Sequence, residues 1–166
     1  MLQGLKTNTE KGCIVSTLEC AISVAAKAHE GQVDKAAAPY ILHPLRVMLS
    51  LNTTEEKIVG VLHDVLEDTQ ILMSDLRALG FSEVILSALE SVTRNPGETY
   101  ENFVLRAASN PIGKRVKLAD LIDNSDLSRI SKPTPKDYER LEKYRHAIEI
   151  INAIDRTHAS PALGKA

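Results

Sequence analysis

The chain has 166 residues, 43% hydrophobic and 25% charged, with 20 Lys and Arg against 22 Asp and Glu and a formal net charge of −2. That length suits one domain whose core needs no disulfide staples, and the composition excludes intrinsic disorder. Near-neutral charge, 4% aromatics and no Trp argue against the basic footprint or base-stacking platform of a nucleic-acid binder, and no apolar run approaches the ~20 residues of a membrane span.

The opening residues MLQGLKTNTEKGC carry no signal-peptide apolar region, so a cytoplasmic protein is expected. Cys13 and Cys20 are then reduced thiols, read as small buried side chains. Helical periodicity begins at Ile14 and runs to His29, with Leu18, Ala21, Ile22, Ala25 and Ala26 on one side. A loop from Glu30 to Tyr40 holds Gly31 and Pro39, and a second helix is predicted from Pro44 to Leu51. Thr53 or Thr54 caps a third, favoured by Glu55 and Glu56 in its first turn and predicted to run unbroken to about Asp68. Shorter helices follow at Ser74–Leu79, before Gly80, and from a Ser82 cap to Val92. Asn95-Pro96-Gly97 is a turn. Helices are predicted over Thr99–Ser109, from Asn110-Pro111 to about Asn124, and from about Lys136 to Ala153 after the loop Lys132–Pro135. No strand alternation or repeat is present. The fold class is all-α, with about seven or eight helices in one domain over 1–156 and a flexible tail over 157–166.

Chemistry concentrates in His63-Asp64-Val65-Leu66-Glu67-Asp68, four ionisable groups at the end of an apolar helix. Such groups are seldom buried without partners. On a continuous helix His63 and Asp64 are about 100° apart, so both reach one ion beside it, and Glu67 and Asp68 follow them at i+4. A metal-activated water beside an acid or base wants that arrangement. The plain alternative is a solvated helix end. His43, at a loop–helix junction, is a second candidate, or else a cap or surface residue. Asp120 lies in an apolar helix with Asn124 at i+4, and needs a metal or a Lys or Arg partner. Two imidazoles and two carboxylates suit Mn²⁺, Fe²⁺ or Zn²⁺ better than Ca²⁺. Arg46, Lys114 and Arg115 are lesser candidates for phosphate contact, and Lys143 and Arg145 rank below them.

The order His43, His63-Asp64, Asp120 resembles the HD-domain metal-dependent phosphohydrolases. More narrowly, AHEGQ at 28–32, Lys35, PYILHP at 39–44, LHDVLEDT at 62–69 and KLADLIDN at 117–124 resemble the hydrolase domain of RelA/SpoT proteins and the small alarmone hydrolases. The likeness spans about Ala26 to Ala147. It implies an HD helical bundle with Mn²⁺ on His43, His63, Asp64 and Asp120. It implies Glu67 and Asp68 as the water-activating pair, and Lys35 and Asn124 as nucleotide contacts. The implied partner is a small nucleotide, not a nucleic-acid polymer or membrane. The implied reaction releases pyrophosphate from the 3′ position of an alarmone of the stringent response.

The chain departs from the family at three places. Asp34 stands in the nucleotide site where an arginine would stack on the base, Ala37 stands where Gly is common, and Ser125–Arg129 differs from the long enzymes. A carboxylate cannot make a cation–π stack, but it can accept from a base edge or face solvent. Both (p)ppGpp and (p)ppApp therefore stay open as substrates. So do an HD phosphatase releasing orthophosphate and a non-catalytic nucleotide-binding HD protein. The sequence does not fix the oligomeric state.

Overall fold

The computed structural model describes residues 16–159. Cys13 and the expected start of the first helix at Ile14 lie outside them, as do residues 160–166 of the expected tail. Nine α-helices follow in order: α1 Leu18–Ala28, α2 Leu42–Leu49, α3 Thr54–Leu62, α4 Val65–Asp68, α5 Met73–Ala78, α6 Glu83–Val92, α7 Tyr100–Ser109, α8 Pro111–Asn124 and α9 Pro135–Ala159. A 3-10 turn at Leu127–Arg129 precedes α9. Among the described residues the only β pairing is an isolated bridge between Val33 and Pro39. The all-α class holds.

Helix starts follow their caps. Thr17, Ser82 and Thr99 each accept from a main-chain N–H of the first turn. Thr53 and Glu56 form a reciprocal capping box on α3. The Asn110 side chain accepts from the N–H groups of Ile112 and Gly113, with Pro111 at the position where its missing N–H costs nothing. Several boundaries differ from expectation, among them the start of α1, where Ser16 and Thr17 lie outside the helix. α2 starts at Leu42, so His43 lies inside the helix rather than before it. α9 extends past Ala153 to Ala159. The third predicted helix is broken: α3 stops at Leu62 and α4 starts at Val65, with His63 and Asp64 in the turn between. That break accounts for one helix more than the pattern suggested. Apolar spacing runs through it because Leu62 and Val65 are both fully buried, so periodicity alone gave no sign of it.

α3 and α8 form the centre. α3 packs on α1, α2, α6 and α8, and α8 packs on α2, α6, α7 and α9. The larger core gathers Val24, Val47, Val59, Leu62, Leu86 and Leu89 around α3. A smaller one joins Val104, Leu121, Ala147 and Ile151 between α7, α8 and α9. Gly60 sets the approach of α2, since a Cβ there would lie 2.5 Å from Leu51 Cδ1 and 3.4 Å from the Met48 Cα. Because α2, α3 and α8 pack pairwise, the start of α2, the end of α3 and the last turns of α8 meet at one place. No helix among the described residues is long and apolar enough to cross a membrane. Leu62 anchors the residue before His63 from a fully buried position. Leu62→Ala should lower unfolding free energy by about 2–5 kcal/mol, read from urea melts.

Candidate metal centre

Each helix brings one part. α2 presents His43 and α8 presents Asp120, while the turn after α3 presents His63 and Asp64. His43, His63 and Asp120 are buried, and each offers one ligand atom within 4.8 Å of the others. His43 Nε2 is 3.3 Å from Asp120 Oδ1 and 3.5 Å from Asp64 Oδ2. His63 Nε2 is 3.0 Å from Asp64 Oδ2 and 3.6 Å from Asp120 Oδ1. It is buried and makes no hydrogen bond of proper geometry despite these neighbours. An imidazole nitrogen left so, facing carboxylate oxygens, fits a cation between them better than a proton.

The outer nitrogens fix both rings. His63 Nδ1 is 2.8 Å from the Gly60 carbonyl oxygen, and His43 Nδ1 is 2.7 Å from Asp123 Oδ2. Both partners accept, so each Nδ1 carries a proton and each Nε2 faces inward, the orientation a metal requires. Asp123 escaped the sequence reading. Its one signal was its place three residues after Asp120, on the same side of α8. The Arg46 guanidinium grips it bidentately, Nε and Nη2 donating at 2.7 and 3.0 Å, and Arg129 Nη2 donates to its carbonyl and carboxylate. Arg46 is thereby committed to Asp123, and Arg115 Nε pairs with Glu56 at 3.2 Å.

The centre is strongly negative. Burial would raise the Asp120 carboxyl, but Lys117, whose Nζ is 2.8 Å from Oδ2, together with His43 and His63, holds it well below its ordinary value. Asp120 therefore has both the lysine partner and the imidazoles. Asn124 also donates to it from one turn on, as the i+4 spacing predicts. Burial would lower the His63 imidazole, yet Asp64 and Asp120 outweigh it and raise it well above its ordinary value. A potential that retains a proton there also favours a divalent cation, which would displace that proton.

Tyr40 is the second residue missed. Its hydroxyl donates to Asp64 Oδ2 at 2.6 Å and lies 3.4 Å from Asp68 Oδ2. Asp68 and Glu67 stand at the solvent-facing rim of the centre. Partial burial pushes both carboxyls up. Glu67 Oε1 accepts from the Arg94 main-chain N–H at 2.6 Å. The two acids do not sit on the end of one long helix with His63 and Asp64. They occupy the short α4, reoriented by the break.

A cavity of about 290 Å³ opens on the other side, walled by Tyr40, His43, Lys35, Asn124, Arg129 and Tyr144 among others. Lys35 and Asp34 lie on its wall as expected. Asp34, however, neither faces open solvent nor offers its whole carboxylate. Its Oδ1 accepts from the N–H groups of Ala36 and Ala38 at 2.8 and 2.9 Å, and Oδ2 faces Arg129 Nη1 at 3.9 Å. This carboxylate shapes the turn, and Ala37 follows at φ 60°, the left-handed conformation in which glycine is unstrained.

No family model matches the chain. It is 32% identical over 146 residues to the GTP pyrophosphokinase of Streptomyces coelicolor, covering 80% of this chain and 17% of that protein. It is 32% identical over 119 residues to the guanosine-3′,5′-bis(diphosphate) 3′-pyrophosphohydrolase of Aquifex aeolicus, covering 64% and 17%. The like-named protein of Spiroplasma citri is 29% identical over 93% of this chain and 22% of its own length. The chain thus spans about a fifth or less of the curated relatives it matches. A solved metazoan ortholog of SpoT that hydrolyses ppGpp shares the fold, with a TM-score of 0.67 and 21% identity over 81% of this chain and 84% of that one. The sequence likeness is to GTP pyrophosphokinases and guanosine-3′,5′-bis(diphosphate) 3′-pyrophosphohydrolases, and the helical bundle shares the fold of the solved SpoT ortholog. Because Asp123 orients the His43 ring, Asp123→Asn should weaken binding of a divalent cation about 10–100-fold in calorimetric titration while leaving the helical content unchanged.

Proposed function

We propose that this chain, allied with the RelA/SpoT-type HD hydrolases, hydrolyses the 3′-diphosphate of a nucleotide alarmone, (p)ppGpp or (p)ppApp. The products are pyrophosphate and GDP or GTP, or their adenosine counterparts. One observation carries the reading: two buried imidazoles turn their inner nitrogens toward Asp64 and Asp120, between an acidic rim and a nucleotide-sized cavity. His43, His63, Asp64 and Asp120 would hold a divalent cation, Mn²⁺ in this reading. Such an ion supplies positive charge beside the scissile phosphate and eases deprotonation of water.

The chain's own residues do the rest. Water adds its oxygen to the phosphorus next to the ribose, the bond from that phosphorus to O3′ breaks, and O3′ leaves with a proton. Glu67 or Asp68 takes the proton lost by water, and a carboxyl raised by burial holds it better than one in bulk solvent. The Tyr40 hydroxyl holds Asp64 in place and stands next to Asp68. Lys35 and Arg129 bring positive charge to the cavity that takes the nucleotide, and Asn124 presents its amide at the same wall. Asp34 contributes by fixing the loop that carries Lys35. A cytoplasmic setting accords with such a substrate and with the free thiol of Cys20.

Turnover of ppGpp and ppApp, side by side with Mn²⁺ and with products resolved by ion exchange, tests this reading. Pyrophosphate should appear, and EDTA should stop its release. Orthophosphate in its place would support the phosphatase reading, and tight binding without turnover the non-catalytic one. Glu67→Gln should keep Mn²⁺ and lose about 10²–10⁴ in kcat, whereas Asp64→Ala should lose the metal itself. Unchanged kcat in Glu67→Gln would remove that residue from proton transfer.

A further inference from the structure

On the Glu67 side of the metal centre, away from the nucleotide cavity, cations gather around an aromatic pair. Tyr100 and Phe103 of α7 lie with ring centroids 6.3 Å apart. Lys143 of α9 places Nζ 3.7 Å from the Tyr100 centroid, and Lys117 of α8 places Nζ 4.7 Å from that of Phe103. Lys117 reaches from there to the metal centre through its pair with Asp120. Arg94, on the loop before α7, touches the acidic rim through its main-chain N–H and rests its guanidinium on the Glu98 carbonyl. The Tyr100 hydroxyl is buried and has no hydrogen-bond partner.

This arrangement is costly as it stands. Among the described residues no carboxylate lies within salt-bridge reach of Arg94 or Lys143. Burial pushes the Lys143 ammonium down, and Arg94 and Lys117 push it further, so the three cations share one field. Glu67 feels Lys117 as well, which sets the cluster beside the acidic rim. Like charges drawn together over an aromatic pair, one ring of which carries an unsatisfied hydroxyl, suit a compact, multiply charged anion.

We propose that Arg94, Tyr100, Lys117 and Lys143 form a diphosphate subsite. Resting on the alarmone reading above, it takes the 3′-diphosphate of the substrate and retains it as pyrophosphate once the ester is cut. The 3′ end is assigned because Lys117 joins the cluster to Asp120, whereas the cavity for the nucleoside opens past Tyr40 and His43 on the other side.

Calorimetric titration of the Mn²⁺-loaded protein with pyrophosphate, and separately with GDP, tests the assignment without turnover. Lys143→Gln and Tyr100→Phe should each weaken pyrophosphate binding, by about tenfold for the lysine and less for the tyrosine, and leave GDP binding as it was. Arg145→Gln removes the same charge from an exposed site on α9, where Arg145 pairs with Glu142, and should change neither. Pyrophosphate affinity unmoved in both variants, or equally moved in Arg145→Gln, would overturn the subsite. Weakened GDP binding with pyrophosphate unaffected would overturn the 3′ assignment in favour of the 5′-diphosphate. If these residues govern pyrophosphate binding but neither alarmone is hydrolysed, the subsite stands and the alarmone reading falls.

Discussion

A carboxylate buried inside the bundle is the constraint around which this molecule is arranged. Asp120 sits at 6% exposure in the helix that crosses the centre of the fold. An isolated charge there would cost several kcal/mol. Lys117 answers it from one turn before, Asn124 from one turn after, His43 from α2 and His63 from the turn after α3. Four partners from three elements must arrive together, so the packing of α2, α3 and α8 and the electrostatics of the centre are one problem. The same negative potential that holds these groups is what a divalent cation would use.

Around that centre the protein spends its polar residues on orientation. Gly60 provides a close helix approach and also the carbonyl that fixes the His63 ring. Asp123 does the same for His43 and is itself gripped by Arg46 and Arg129. Tyr40, carried by the loop that Asp34 folds, steadies Asp64. Each of these groups decides where an inner nitrogen or oxygen points. Arg129 belongs to both worlds, since it braces Asp123 and also walls the cavity. Metal site and cavity therefore share a hydrogen-bond network rather than merely a boundary.

The two sides of the centre differ in kind. One is a partly open cavity with loop residues Val33 to Ala36 and the 3-10 turn on its wall. The other is an open face where lysines lie on aromatic rings and Glu67 meets Arg94. A nucleotide carrying a diphosphate beside its ribose would lie across the metal centre with one part on each side.

Much of this was legible in the residues themselves. Caps at Thr53, Ser82, Thr99 and Asn110 set the helix starts, because a side-chain oxygen and the N–H groups it satisfies are near neighbours in sequence. His63-Asp64 and the Asp120–Asn124 pair announced themselves as ionisable groups within apolar runs. Tertiary structure alone decided what depends on distant segments meeting. The α3–α4 break was invisible because buried apolar positions continue through it. Asp123 and Tyr40 drew no notice because their partners lie 80 and 24 residues away. For Asp34 the sequence left a base edge and solvent both open, and only the fold showed its Oδ1 accepting from the Ala36 and Ala38 N–H groups. Lys143 ranked low on a long polar helix, and only the packing of α9 on α7 set it over Tyr100. Sequence names the groups that need partners, because burial of charge has a local signature. Which partner each receives is settled by the fold, because a hydrogen bond depends on distance in space and not on separation along the chain.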